Sequence, residues 1–151
     1  VEHLKAAGYQ TACAATPDYV QLDWEHQLTP ECKGRQRELD AAKNAADFIR
    51  SQSGADRPYF LSAGFGPPKG TEVIGCPPDS EPTDPRFVRP PMNFPDTPES
   101  RQGWATQIDG TRMMDYLFGQ VIDAVDQSGQ AARDICRSRR VPTPRAGWAC
   151  S

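Results

Sequence analysis

Tyr59-Phe60-Leu61-Ser62-Ala63-Gly64-Phe65 is a short run of aromatic and small apolar residues, and its reading decides the fold class. It follows the turn Asp56-Arg57-Pro58 and runs into Gly66-Pro67-Pro68-Lys69, so it reads as a buried, parallel strand. Immediately before it, Arg35–Ser53 reads as a helix. Leu39, Ala42, Ala46 and Ile49 fall at helical spacing on one face, with Phe48 beside them. Glu38, Lys43 and Asp47 fall on the opposite, solvent face, and Ser53-Gly54 closes the helix. Helix, turn and buried strand make half of a β-α-β unit, which predicts an α/β fold with a mostly parallel sheet.

Working outward towards the N-terminus, Val1–Ala7 reads as a short helix beginning without a capping residue. Gly8 suits the left-handed position that ends it. Tyr9–Ala15 is a second strand, broken by Thr16-Pro17-Asp18. Residues 16–34 are mixed and polar, with Trp24 and Leu28 as packing anchors. Towards the C-terminus, ten of the fifteen prolines lie between Pro67 and Pro98, a density at which no regular element is expected. A loop of about 30 residues is either functional or disordered. This one leaves the carboxyl end of a strand, where open α/β sheets hold their ligands. Asp96-Thr97-Pro98-Glu99 then starts a long helix, with Thr97 as N-cap and Pro98 at the first helical position. The helix is expected to run to about Gln127. Trp104, Ile108, Phe118, Val121, Ile122 and Val125 lie along its apolar stripe, with Met114 and Leu117 near it.

Composition narrows the function classes. The 151 residues correspond to about one domain. The hydrophobic share of 37% lies below the roughly 45–50% of globular domains, so part of the chain is expected to order only with help. A net charge of −3 argues against a nucleic-acid partner, and no apolar run approaches the roughly 20 residues of a membrane span. Nor is there a stretch with the make-up of a signal peptide. Cys13, Cys32, Cys76, Cys136 and Cys150 form no C-x-x-C pair, which leaves free thiols rather than a zinc site or a disulfide framework. Positive charge gathers in the tail, where Arg133, Arg137, Arg139, Arg140 and Arg145 face Asp134 alone.

Four ordered stretches together resemble the sulfatases of the alkaline-phosphatase-like superfamily. Leu4-Lys5-Ala6-Ala7-Gly8-Tyr9-Gln10-Thr11-Ala12 is similar to the family's helix–Gly-Tyr-x-Thr–strand segment. The helix from Asp40 to Ser53 with Tyr59–Phe65 resembles its next helix and strand, which ends in Gly-Phe-x-x-Pro-His. Val88–Glu99 resembles the loop before the family's next long helix. That helix normally carries an Asp, matched by Asp115, and a Gly-x-V/I-x-x-x-L/V stretch, matched by Gly119–Val125. The likeness covers roughly residues 2–129 and is nearest to the bacterial branch related to heparan N-sulfatases. It implies an alkaline-phosphatase-like mixed sheet, here incomplete, and the cleavage of sulfuric esters or sulfamates in small molecules or glycans. Family members are often periplasmic or secreted.

The resemblance also implies a mechanism. A Cys in a C-x-P-x-R motif becomes formylglycine, whose hydrate attacks sulfur. Calcium neutralises the sulfate oxygens, and Lys and His side chains add charge and protonate the leaving oxygen. In this chain Lys69 stands where the family has the His of Gly-Phe-x-x-Pro-His. It can hold a sulfate oxygen as a point charge, or stand as a solvated loop lysine in a decayed site. Where the family continues to a Gly-Lys-x-x-His-like stretch, this chain reads Cys13-Ala14-Ala15-Thr16-Pro17-Asp18, leaving His26 as a displaced substitute or a surface imidazole. His3 reads as a solvated helical histidine.

Cys76-Pro77-Pro78-Asp79-Ser80 lacks the Arg of the nucleophile motif, and Cys136-Arg137-Ser138-Arg139-Arg140 fits only a loosened form after the last helix. The nucleophile is therefore expected before Val1. A buried strand and a metal-binding Asp are expected where 130–151 instead has an Arg-rich tail, as a shifted reading frame would produce. The expectation is a partial catalytic domain over 1–129 that is inactive alone. Two alternatives stay open: a non-catalytic relative that binds an anion or a partner, and a phosphoryl-transfer member of the same superfamily.

Overall fold

The computed structural model describes residues 1–14, 22–66 and 74–129. Lys69, Cys136, Cys150 and the tail 130–151 lie outside these described residues. The elements are α1 (Glu2–Ala6), β1 (Gln10–Ala14), β2 (His26–Gln27), α2 (Gly34–Ser51), β3 (Tyr59–Ala63), a 3₁₀ turn (Pro85–Phe87) and α3 (Pro98–Gln127). The fold is mixed α/β, with a small, wholly parallel sheet in the order β2-β1-β3 and helices flanking it.

β1 is the central strand, and its last four residues are buried. It pairs with β3 from Gln10↔Tyr59 to Ala14↔Ala63, and with β2 at Ala12↔His26 and Cys13↔Gln27. The polar stretch 16–34, which carries no strand pattern, thus still contributes a short strand. Two residues suffice because Leu28 N–H also donates to the Cys13 carbonyl at 2.8 Å. β3 is parallel as expected but only half-buried, because it lies at the edge of the described sheet. Successive side chains of a strand point to opposite faces. Tyr59 and Leu61 pack with Ile49 and Ala124 of the helices. Phe60 lies on the other face, stacked on Trp24 with ring centroids 6.2 Å apart.

α1 ends where Gly8 adopts φ +88°, a conformation that costs a Cβ-bearing residue roughly 1–2 kcal/mol. Arg57 then ties that turn to the rest. Its Nε donates to the Gly8 carbonyl and its Nη2 to the Tyr9 carbonyl, each at 2.8 Å, and Nη2 also meets Glu25 at 3.0 Å. The hydrogen bond from Arg57 is the main reason the Glu25 carboxyl is held below its usual range.

The core lies between α2 and α3. Ala41, Ala42, Ala45 and Ala46 form the inner face of α2, and Ala105, Gly110, Met113, Leu117 and Ala124 that of α3. Small side chains let the two backbones approach closely, so the buried stripe of α3 is this one. Of the stripe named from sequence and the residues near it, Leu117 is buried and Met114, Val121 and Val125 pack against the core, whereas Ile108 and Phe118 are exposed. A second correction concerns α2. Glu38, expected on the solvent face with Lys43 and Asp47, is 3% exposed, whereas the other two are exposed as expected.

α3 starts where its signals predict, with Thr97 Oγ1 accepting from Ser100 N–H at 3.2 Å, and it ends at Gln127. The proline-rich connection does form one regular turn. Asp84 caps Pro85–Phe87 by accepting from Arg86 N–H at 2.9 Å, and proline at the first position suits such a turn. No helix among the described residues is long and apolar enough to cross a membrane.

Candidate functional site

The parallel register of β1 and β3 brings their carboxyl ends side by side. Gly64 N–H donates to the Ala14 carbonyl at 3.0 Å, extending the ladder one step past Ala63. Gly64-Phe65-Gly66 therefore leaves the sheet beside the end of β1, at the edge where a parallel sheet presents its ligand crevice. Phe65 turns inward, 6% exposed, against Ala41, Ala42, Met113 and Leu117, with its ring 4.9 Å from that of Phe118.

Beneath Gly66 sits the residue that pattern reading missed. Glu38, in the first turns of α2, accepts from Gly66 N–H through Oε2 at 3.1 Å. Its Oε1 accepts from Arg37 Nη2 at 2.6 Å and from Arg37 Nε at 3.2 Å. A buried carboxylate survives where its oxygens are hydrogen-bonded and its charge is paired, and both conditions hold here. The glutamate thus fixes the backbone where the strand becomes loop, and it places a guanidinium beside the candidate site. The sequence signal that finds it is spacing, since Glu38 falls in helical register with Ala41, Ala42, Ala45 and Ile49.

The loop returns to the same corner. Arg35, one turn before Glu38 on α2, donates from Nη1 to the carbonyls of Ile74 at 3.2 Å and Cys76 at 2.6 Å. Gly75 between them has φ +72°, and a Cβ there would lie 2.7 Å from the Arg35 guanidinium. Two further positions are anchored on α3. Asp109, 7% exposed, accepts from Thr83 N–H at 3.0 Å and from the Thr83 hydroxyl at 2.6 Å. Arg101 donates to the Arg86 carbonyl at 3.1 Å while paired with Asp96.

Those residues singled out from sequence that lie among the described ones do not converge. Lys69 and Cys136 lie outside the described residues. His26 is exposed on β2, its ring 5.3 Å from that of Phe48. Phe48 stands about 15 Å along α2 from Glu38, so His26 belongs to a different part of the molecule from Gly66. His3 is exposed on α1. Cys76 is half-buried, with Sγ 3.3 Å from the Ser80 carbonyl. Asp115 is exposed, and the aspartate that α3 buries is Asp109. Among the described residues no group of three or more His, Cys, Asp or Glu side chains gathers so as to hold a metal ion. The calcium donor set that the resemblance implies is therefore not assembled by these residues. What they form is one wall: a glycine-flanked strand end, a buried acid–guanidinium pair behind it, and a pinned loop in front. No protein-family model matches the chain, and no curated protein matches it either.

Proposed function

We propose that this chain carries one wall of the substrate cleft of a sulfatase-like hydrolase of the alkaline-phosphatase-like superfamily, acting on sulfate esters or sulfamates. By itself it is catalytically silent. The observation that carries the reading is the junction at Ala14↔Ala63 and Gly64. It puts the end of the Gly-Tyr-x-Thr strand and the Gly-Phe-x-x-Pro segment on one sheet edge, at the mouth of the proline-rich loop. Those two stretches, distant in sequence, carry most of the resemblance, and a common crevice needs them to be neighbours.

In this reading Lys69 supplies a point charge to a sulfate oxygen, in the place of a histidine. The formylglycine nucleophile and the calcium ligands come from outside the chain's own 151 residues, which contain no C-x-P-x-R sequence. Without a nucleophile the covalent step cannot occur, whatever charge the wall presents. Two measurements test this. Incubating the chain with an aryl sulfate and calcium is expected to give no turnover above that of Lys69→Ala, and turnover well above that control overturns the claim of silence. Sequencing the DNA on either side is expected to reveal an in-frame C-x-P-x-R upstream and an Asp-x-Gly in a shifted frame downstream. Finding neither overturns the family reading itself.

A further inference from the structure

The segment between the candidate site and α3 is fastened in an unusual way. Of residues 74–97, only Ile74, Val88 and Pro90 are buried. Phe87, Met92 and Phe94 are exposed, with the Phe94 ring edge-on to Trp104 at 5.7 Å between centroids. Ile74 anchors the near end in the core with Phe65, Met113 and Leu117, and beyond it apolar burial contributes little.

Its polar fastenings are specific and run mostly to α3. Both oxygens of Asp109 receive Thr83 N–H, and Oδ1 also receives the Thr83 hydroxyl and Arg112 Nη1 at 3.1 Å. Arg112 Nη1 reaches on to the Glu81 carbonyl at 3.1 Å. One buried carboxylate thus organises both attachment points at the middle of the segment. Arg101 holds the Arg86 carbonyl further along, and Arg35 of α2 holds the near end.

We infer that residues 77–97 form a strap that lifts from α3 as one unit, hinged where Arg35 and the buried Ile74 hold its near end, with the Asp109–Thr83 contact as its latch. Segments that open below the global unfolding free energy are those with few buried apolar contacts and exposed backbone, and the strap has both properties. The α2–α3 seam, sealed by alanines, methionine and leucine, stays closed when the strap lifts. This device rests on these contacts alone and stands whether or not the cleft handles sulfate esters.

Native-state tryptic digestion tests it. Arg86–Phe87 is a cleavable bond in the middle of the strap, and Arg50–Ser51 in α2 reports on the rest. Replacing Asp109 by Asn, or Thr83 by Val, is expected to speed cleavage at Arg86–Phe87 about tenfold, as follows from losing a hydrogen bond to a charged group. Leu117→Ala, in the seam that the lifted strap leaves closed, is expected to speed cleavage at Arg50–Ser51 while Arg86–Phe87 keeps its wild-type rate. Parallel acceleration of both bonds by Leu117→Ala overturns the proposal, because the strap then opens only with the whole fold. An unchanged rate at Arg86–Phe87 in the latch variants overturns it too, since the latch would then hold nothing. Thr83→Val leaves the buried acid and the backbone donor in place, so it decides the matter if Asp109→Asn does not fold.

Discussion

At the scale of single residues, Glu38 has the sharpest consequences. Truncation by Glu38→Ala strands the Arg37 guanidinium and the Gly66 N–H together. The expected loss is about 2–4 kcal/mol, the range for leaving buried polar partners unsatisfied. Glu38→Gln keeps an acceptor for Gly66 and is expected to lose less, so urea midpoints of the two variants separate the charge from the hydrogen bond. Equal losses would show that the bond to Gly66 contributes nothing. Gly75→Ala is expected to cost at least about 1–2 kcal/mol by the same assay, from the left-handed backbone and from the Arg35 bonds to the Ile74 and Cys76 carbonyls that the new Cβ displaces. The burial of Glu38 was legible in the spacing: it stands three, four, seven and eleven residues before Ala41, Ala42, Ala45 and Ile49, on the inner face of the helix, and only its charge assigned it to solvent. Its partners were not legible. Only the arrival of Gly66, from a part of the chain with no sequence link to it, makes burial tolerable.

At the scale of elements, starts and stops were the most readable features. Gly8 and Thr97-Pro98 act through local hydrogen bonds and dihedral limits, which involve only neighbouring residues, and α1 and α3 end or begin there. The inner face of α3 was legible at Leu117, Val121 and Val125, which pack as expected, and was misplaced at Ile108 and Phe118 for the opposite reason. Hydrophobic weight favours Trp104, Ile108 and Phe118, whereas packing against the α2 alanines selects small residues and the slender Met113 and Leu117. Substitution discriminates between the two stripes. Leu117→Ala or Met113→Ala is expected to cost about 2–5 kcal/mol, and Ile108→Ala less than about 1 kcal/mol. Comparable losses at all three positions would contradict the packing described. The start of α3 also carries a pH dependence. Arg101 holds the Asp96 carboxyl below its ordinary range. A depressed carboxylate adds stability above its unfolded pKa and loses it as pH falls through the folded value. The stability advantage of the wild type over Asp96→Asn is therefore expected at neutral pH and should shrink as pH falls through and below the ordinary aspartate range. A constant difference across that range would argue against the pair.

At the scale of the molecule, three parallel strands and two long helices make a mixed α/β unit whose second sheet face is lightly covered among the described residues. Trp24, Cys13 and Val1 are grouped there, and Phe60 is 41% exposed. Exposed strand edges and apolar faces invite association. Phe60→Lys is expected to raise the concentration at which the chain self-associates, as measured by sedimentation, while lowering stability by about 0.5–1.5 kcal/mol through loss of the stacking on Trp24. The α/β class was legible because helix, turn and strand adjoin one another in sequence. The sheet order was not, because β2 consists of two polar residues recruited by β1. The pairing of β1 with β3 has one more consequence, for the route by which the chain folds. Residue 10 meets residue 59 in parallel, with no hairpin to zip them together, and the α2–α3 seam joins residues still further apart. Long chain loops must close before either contact yields any free energy. The chain should therefore fold slowly for its length, leaving the α2 alanines uncovered in newly made chains until α3 arrives.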